Sequence, residues 1–418
     1  MSGPGRVRRA CSGPADAGYT VAGVAEIDRL VRRSAELKQE LLAFSRGRRC
    51  ERALSQALAR RFGSVVVAEE EELINFFDHF LLQHRLSDGR TVVERFVRAR
   101  GDLPRAERDM LLRWRDVVEG IFEVERIEGD VLVAVNLIDD LTYRIRTNMG
   151  PALYERTPPG HFLIARVVPI LDDWLLSGSL ATFPPEHAEQ LCEVAAKTAL
   201  EHPHLVFRNP QRLELACQQQ RDDRARFIEF FGSDLIVFPC AEWATRMNEY
   251  WRHRSDGAAA PPQMNGASLS WAQTVGVIYD EVEGLTYLAD FGPFQQAFED
   301  PELLTQRRYR EVVHTYLDDD SVSPLPFRRL AQANPDHASR VFARLLGKPS
   351  FTWADDGETL LRSAKAAYFA QPPTPRITPL SDRLAATFQH RTDTSPDRSP
   401  TAQIAGSEQI ARSASGDR

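Results

Sequence analysis

Between residues 24 and 62 the apolar residues Ile27, Leu30, Leu37, Leu41 and Phe44 recur at three- and four-residue steps, with charges between them. That is the spacing of an amphipathic helix. Gly47 divides it from a second helix near 48–62. Three more helices are predicted near 69–84, 91–100 and 104–118, with "SDGRT" (87–91) and "GDLP" (101–104) as breaks. At Gly120 the period changes. "IFEVERIEGDVLVAVNLIDDLTYRIRT" reads as three strands joined at "EGD" (128–130) and "DD" (139–140). "HFLIARVVPILDDWLLSGSLATF" (161–183) adds two more, turned at Asp172-Asp173. Five short strands in succession fit a small antiparallel barrel of OB-like or SH3-like type.

Past "FPPEHAEQ" the pattern is mixed. Helices are predicted at 185–200, 210–231 and 241–253, with an apolar strand, "DLIVFP", at 234–239. Residues 254–268 read as a linker, and 274–292 as a hairpin around Glu283-Gly284. Asp300-Pro301 starts a helix to about Leu317. Ser323-Pro324 and Asn334-Pro335 start two more, and a last one spans about 356–369. Residues 1–22 and most of 373–418 are expected to be disordered, apart from a short helix near 381–388. The expected fold is therefore α+β: a helical region (23–118), a five-stranded antiparallel barrel (119–183) and a mixed α/β domain (184–372).

A length of 418 residues suits two or three such domains, and 43% hydrophobic residues suffice for their cores. The net charge of −7 gives no global attraction to nucleic acid or anionic lipid. Only Lys38, Lys197, Lys348 and Lys365 among the 52 basic residues are lysines, a bias that fits a high-GC coding style. The charge is unevenly spread. Residues 1–62 hold thirteen basic and six acidic residues, densest at "SRGRRCER" (45–52); residues 119–183 hold five basic and ten acidic. Any binding of RNA or DNA is therefore expected to be weak and to fall on Arg46, Arg48, Arg49 and Arg52 rather than on the barrel. The five scattered cysteines form no CxxC pair, which suits reduced thiols in a cytoplasm. No apolar run is long enough for a membrane span, and no apolar segment follows the N-terminal arginines as a secretory signal would require.

Candidate chemistry is sparse. Asp318, Asp319 and Asp320 fall where a helix should end, a placement unfavourable by roughly 0.3–1 kcal/mol per charge. Such a conflict can mark function. The alternate acids and glycine of a calcium loop are missing, however. Arg328 and Arg329 follow closely enough to pair with the acids, so a solvated, arginine-paired corner is expected. Asp280, Glu281, Glu283 and Asp290 crowd the predicted hairpin. With Asp318 they could form a two-metal carboxylate site, but alternation puts only every second one on a face, and an exposed polar face is expected. Asp290-Phe291-Gly292 matches the magnesium-binding triplet of protein kinases, yet no Gly-rich loop, strand lysine or catalytic loop accompanies it. It reads as a strand end capping a helix. His202 and His204 form an HxH pair after a helix, where imidazoles suit the carboxyl end. Cys240 lies between an apolar strand and a helix whose Trp243, Met247 and Tyr250 mark a buried stripe. A thiol there can be a nucleophile. No elbow motif or partner His is legible, and a structural thiol is expected.

"NFFDHFLLQHRLSDGRTVVERFV", "YDEVEGLTYLADFGPF" and "YLDDDSVSPLPFRRLA" resemble a group of bacterial hypothetical proteins without assigned function, over about residues 65–390. Some proteins of that style end in a Cys/His zinc knuckle; this tail has no cysteine, so no metal carries over. The resemblance implies a bacterial, cytoplasmic protein and no activity. The sequence thus reads as an interaction or adapter protein with protein partners, weak nucleic-acid binding at most, no cofactor, no metal and no membrane. Oligomeric state is not legible. The alternative is a hydrolase, working through metal held near 280–290 and 318–320 or through Cys240.

Overall fold

The computed structural model describes residues 21–63, 69–150, 152–254, 269–371 and 373–387. The linker expected at 254–268 lies outside these beyond Arg254, as do the termini expected to be disordered, 1–20 and 388–418. Two compact units divide the chain near residue 198, and residues from Asp382 return to the first.

The first unit opens with α1 (Val21–Ser45), α2 (Glu51–Phe62), α3 (Glu70–Leu82), α4 (Val92–Ala99) and α5 (Arg105–Arg113). Thr91 and Glu94 form a reciprocal capping box at the start of α4. Ile27, Leu30, Leu37 and Leu41 of α1 are fully buried, as their spacing predicts. Five strands follow: β1 (Val118–Glu128), β2 (Val131–Asn136), β3 (Thr142–Arg146), then after a short helix α6 (Ala152–Arg156), β4 (Phe162–Ile170) and β5 (Asp173–Phe183). Helix α7 (Ala188–Glu201) contains the unit boundary.

The strand pairings run β1-β2-β3-β5-β4 and return to β1, closing a barrel. The sheet is not purely antiparallel as expected. β3 and β5 pair in parallel, Ile145 with Trp174 and Arg146 with Leu175. The reason is parity: the other four pairings are antiparallel, and a closed ring of five strands cannot alternate direction throughout, so β5 meets β3 in the same direction. Phe122, Leu132, Tyr143, Ile145, Leu163 and Val167 fill the barrel. Val168, Ile170 and Leu175 point the other way, into the core formed with α1 to α5. The outer face of β4 and β5 thus joins the core of the helices, separate from the core inside the barrel.

The second unit holds α8 (Pro203–Val206), α9 (Pro210–Phe231), β6 (Leu235–Pro239), α10 (Cys240–Arg254), β7 (Thr274–Asp280) and β8 (Gly284–Ala289). Its strands form an antiparallel sheet with β7 central. Val275, Val277 and Tyr279 pack with α9 and α10; Ile278, one residue out of step, packs with the helices that follow. Those are α11 (Phe291–Glu299), α12 (Arg307–Asp318), α13 (Leu325–Ala333), α14 (Pro335–Leu345), α15 (Trp353–Ala364) and α16 (Ala366–Ala370). The helix expected from Pro301 to Leu317 is a 3-10 turn, Pro301–Thr305, followed by α12. The last predicted helix is two, broken at Lys365.

The ordered chain reaches further than the sequence suggests. Pro375 and Pro379 are buried, and Arg376 is clipped to the second unit by Gln220 and by the carbonyl of Glu283. Gly284, at φ +69°, leaves no room there for a side chain, because a Cβ would meet Arg376 at 2.9 Å. In the first unit, residues 382–387 are helical, Leu384 is buried and Arg383 pairs with Glu123.

Candidate functional site

The acidic candidates do not meet. Among the described residues no three His, Cys, Asp or Glu side chains are grouped so as to hold a metal ion. Nor is the hairpin the solvated polar face that alternation suggested. Glu283 is buried and accepts a hydrogen bond from the Tyr368 hydroxyl at 2.8 Å. Asp280 accepts from the backbone of Val282 and Glu283, fixing the turn, and Glu281 pairs with Arg224. Asp290 stands at the N-cap position of α11 with φ +53°. Its carboxylate takes the Gln273 amide at 2.7 Å and caps no helix amide, unlike the role expected; the Thr274 hydroxyl accepts from the Gly292 amide instead, at 2.9 Å.

Asp318, Asp319 and Asp320 do end α12, but arginines are not their counter-ions. Arg328 pairs with Glu358, and Arg329 with Asp234 and, more distantly, Asp280. The cation at this corner is Lys365, fully buried, whose ammonium donates to the carbonyls of Tyr316 at 2.7 Å and Asp319 at 2.5 Å. Burial pushes its pKa down, against the pull of Asp319, Asp320 and Asp318. A lysine 45 residues downstream of the acids gave no local signal in the sequence.

Cys240 begins α10, half-buried, with its thiol donating to the carbonyl of Leu269 at 3.1 Å. His202 and His204 lie edge to face at 5.9 Å, and burial, then the neighbouring His202, lowers the pKa of His204. Residues Arg307, Arg310, Glu311, His314, Asp318 and Asp319 line a shallow depression, but all belong to α12 or its C-cap. It is an exposed helix face rather than a cavity.

A polar cluster that the sequence did not reveal lies between α1, α3 and the barrel. Asp78 is buried and accepts from Lys38, from Arg166 at 2.8 Å and from Ser177 at 2.5 Å. Burial pushes the Asp78 pKa up, but the charges of Lys38 and Arg166 and the hydrogen bonds outweigh it and bring it down to about 2. Beside it β5 bulges at Gly178-Ser179, opposite the Ala165–Arg166 step of β4. Asn75 of α3 satisfies the bulge, accepting from the Ser179 amide and donating to its hydroxyl. Gly178 has φ +73°, and a Cβ there would meet Asn75 at 2.7 Å. Lys38 also donates to Ser177 at 2.8 Å. That pairing resembles a lysine-activated serine, but an ammonium held by a carboxylate has no lone pair to act as a base. The cluster ties helices to barrel.

The arginine turn is different. Between α1 and α2 the backbone closes through Gly47 to Phe44 at 3.1 Å and Cys50 to Gly47 at 2.9 Å. Cys50 is buried in the helical core and anchors the turn. Burial raises the pKa of its thiol, so it serves as an apolar plug. Arg46, Arg48, Arg49 and Arg52, arranged around it, are all exposed. None of the four side chains has an acidic partner among the described residues. Many other guanidinium groups in this unit are compensated, among them Arg33 by Glu36, Glu40 and Glu107, Arg115 by Glu94, Arg144 by Glu128 and Asp173, and Arg166 by Asp78 and Glu119.

Together these features define a two-unit α+β protein with a mixed five-stranded barrel, structural ion pairs in its interior and an uncompensated basic turn. Residues 31–204, which include the turn, the polar cluster and the barrel, match a family of unknown function, DUF7986. No curated protein and no solved structure matches the chain.

Proposed function

We propose that the chain is an interaction protein whose first unit binds nucleic acid weakly through the α1–α2 turn, while other surfaces engage protein partners. The observation that carries this reading is the set of four exposed arginines without acidic partners, in a unit whose other arginines are mostly compensated. Uncompensated guanidinium groups can pair with phosphate without first giving up a carboxylate, whereas paired ones cannot. We read the barrel as OB-type rather than SH3-type. The order β1-β2-β3-β5-β4, the parallel β3–β5 pair and the helix between β3 and β4 support this, and such barrels often bind oligonucleotides. Cys50, Cys192, Cys217 and Cys240 are free thiols, which supports a reducing compartment. No helix among the described residues is long and apolar enough to cross a membrane.

The test is fluorescence anisotropy with a labelled nucleic acid at two salt concentrations. Binding should be weak, with Kd on the order of 10⁻⁴–10⁻⁶ M at physiological salt, and should weaken steeply as salt rises. Replacing Arg46, Arg48, Arg49 and Arg52 with glutamine should abolish most of it and leave the circular dichroism unchanged. Salt-insensitive binding, or full binding by the quadruple variant, would refute the reading.

A further inference from the structure

The reading above leaves open which nucleic acid the turn meets and how far the surface extends. Tertiary structure answers both from residues the sequence does not place near the turn. Arg95 of α4 donates through Nη1 to the carbonyl of Arg49 at 3.1 Å, and Phe96 packs edge-on to Phe44 at 5.6 Å. The loop before α4 and its first turns therefore lie beside the arginine turn. They bring Arg85, Arg90 and Arg98, all exposed. Arg98 has no acidic partner among the described residues, and Arg85 bonds only the carbonyl of Gly89, which leaves its charge uncompensated. Segments 46–52 and 85–98 together carry eight arginines against three acids, Glu51, Asp88 and Glu94.

Glu94 is already committed to Arg115 and to the capping box. Asp88 is the acid that limits this surface. It holds Arg95 in a two-pronged pair, at 3.1 Å to Nε and 2.9 Å to Nη2, and reaches Arg90 at 3.4 Å. Two of the eight positive charges are thus partly cancelled by one carboxylate.

The surroundings decide the ligand. Every apolar side chain in the two segments, Cys50, Leu86, Val92, Val93, Phe96 and Val97, is buried. No ring is exposed there for a base to stack on, and no apolar group could enter a bilayer. The barrel does not supply what is missing. On its β1–β2–β3 side Arg126 is paired with Glu128, Arg144 with Glu128 and Asp173, and Arg146 with Asp173. Tyr143 is buried in the barrel interior, and the half-buried Trp174 packs edge-on to it at 5.1 Å. A surface of charge alone is best served by the ligand with the densest phosphates, and a duplex carries one charge per roughly 1.7 Å of axis.

We infer that the two segments form one basic surface for the backbone of double-stranded nucleic acid, read without base contacts, with Asp88 setting its strength. This inference rests on the reading of the arginine turn. The test uses the full chain, a labelled duplex, one of its strands at equal length, and phosphatidylserine-containing vesicles, with far-ultraviolet circular dichroism on each variant. The duplex should bind several-fold more tightly than the single strand at low salt, with the vesicles unbound. Arg85→Gln with Arg98→Gln should weaken duplex binding and reduce the salt slope by about 2. Asp88→Asn keeps an acceptor for the Arg90 amide, which Asp88 now takes at 3.2 Å. It should tighten duplex binding severalfold, a gain that misfolding does not produce.

Equal or tighter binding of the single strand would overturn the inference, as would vesicle binding without duplex binding. So would unchanged affinity in both the Arg85/Arg98 and Asp88 variants. In those cases loss of binding in the quadruple turn variant would still leave the earlier reading standing. Absence of any nucleic-acid binding by the wild-type chain would remove both.

Discussion

At the scale of single residues, this protein spends its charges on structure. Asp78 shows it most clearly: a buried carboxylate held by Lys38, Arg166 and Ser177. Its folded pKa, about 2, lies below the roughly 3.9 of an unfolded aspartate. The folded state therefore binds this proton less readily than the unfolded chain. The stabilisation it provides is fully present above about pH 4 and is lost as pH falls toward 2. Asp78→Asn should destabilise the first unit at pH 7 by about 3–5 kcal/mol, because Lys38 and Arg166 lose their shared counter-ion. The difference from wild type should shrink across that acid range. Urea denaturation at pH 7 and near pH 2 checks both; an equal difference at the two pH values would show that Asp78 is not the titrating group.

At the scale of elements, ends and breaks matter more than interiors. Helix α12 ends in three acids, which its own dipole disfavours, and Lys365 resolves the conflict from the α15–α16 break. Its ammonium serves the carbonyl of Tyr316 and shares that of Asp319 with the Val322 amide. Lys365→Met would keep the volume and remove the donor. The buried Tyr316 carbonyl left unpaired costs about 1–3 kcal/mol, so the variant should lose about that much stability. Denaturant midpoints for the variant and wild type would test this, and a neutral result would mean that water replaces the ammonium. The β5 bulge follows the same logic: Gly178 and Ser179 leave the ladder, and a side chain from α3 satisfies the Ser179 amide.

At the scale of the whole molecule, the chain order and the compact units differ. The first unit takes up Leu384 and Arg383 from the far end of the chain. Burying a leucine contributes about 1.5–3 kcal/mol. Ending the chain after residue 381 should therefore lower the stability of the first unit by about 2 kcal/mol, while ending it after residue 387 should not. Thermal unfolding of the two truncated chains separates these outcomes. Equal melting temperatures would mean that the docked helix contributes nothing measurable.

By itself the sequence determined the local features. Apolar periodicity in α1, the Thr91–Glu94 capping box, the short apolar runs of β1 to β5 and the arginine density at 46–52 all depend on neighbours within a few residues, and such neighbours interact whatever the rest of the chain does. Tertiary structure alone decided the rest. The parallel β3–β5 pair depends on how the barrel closes. Lys365 meets the acids of α12, and Asp78 meets Arg166, across 46 and 88 residues of sequence. The same holds for the basic turn: its four arginines were legible, but their lack of acidic partners, and the company of Arg85 and Arg98, were not. A charge declares itself in the sequence, whereas its compensation depends on distances that only the packed fold sets.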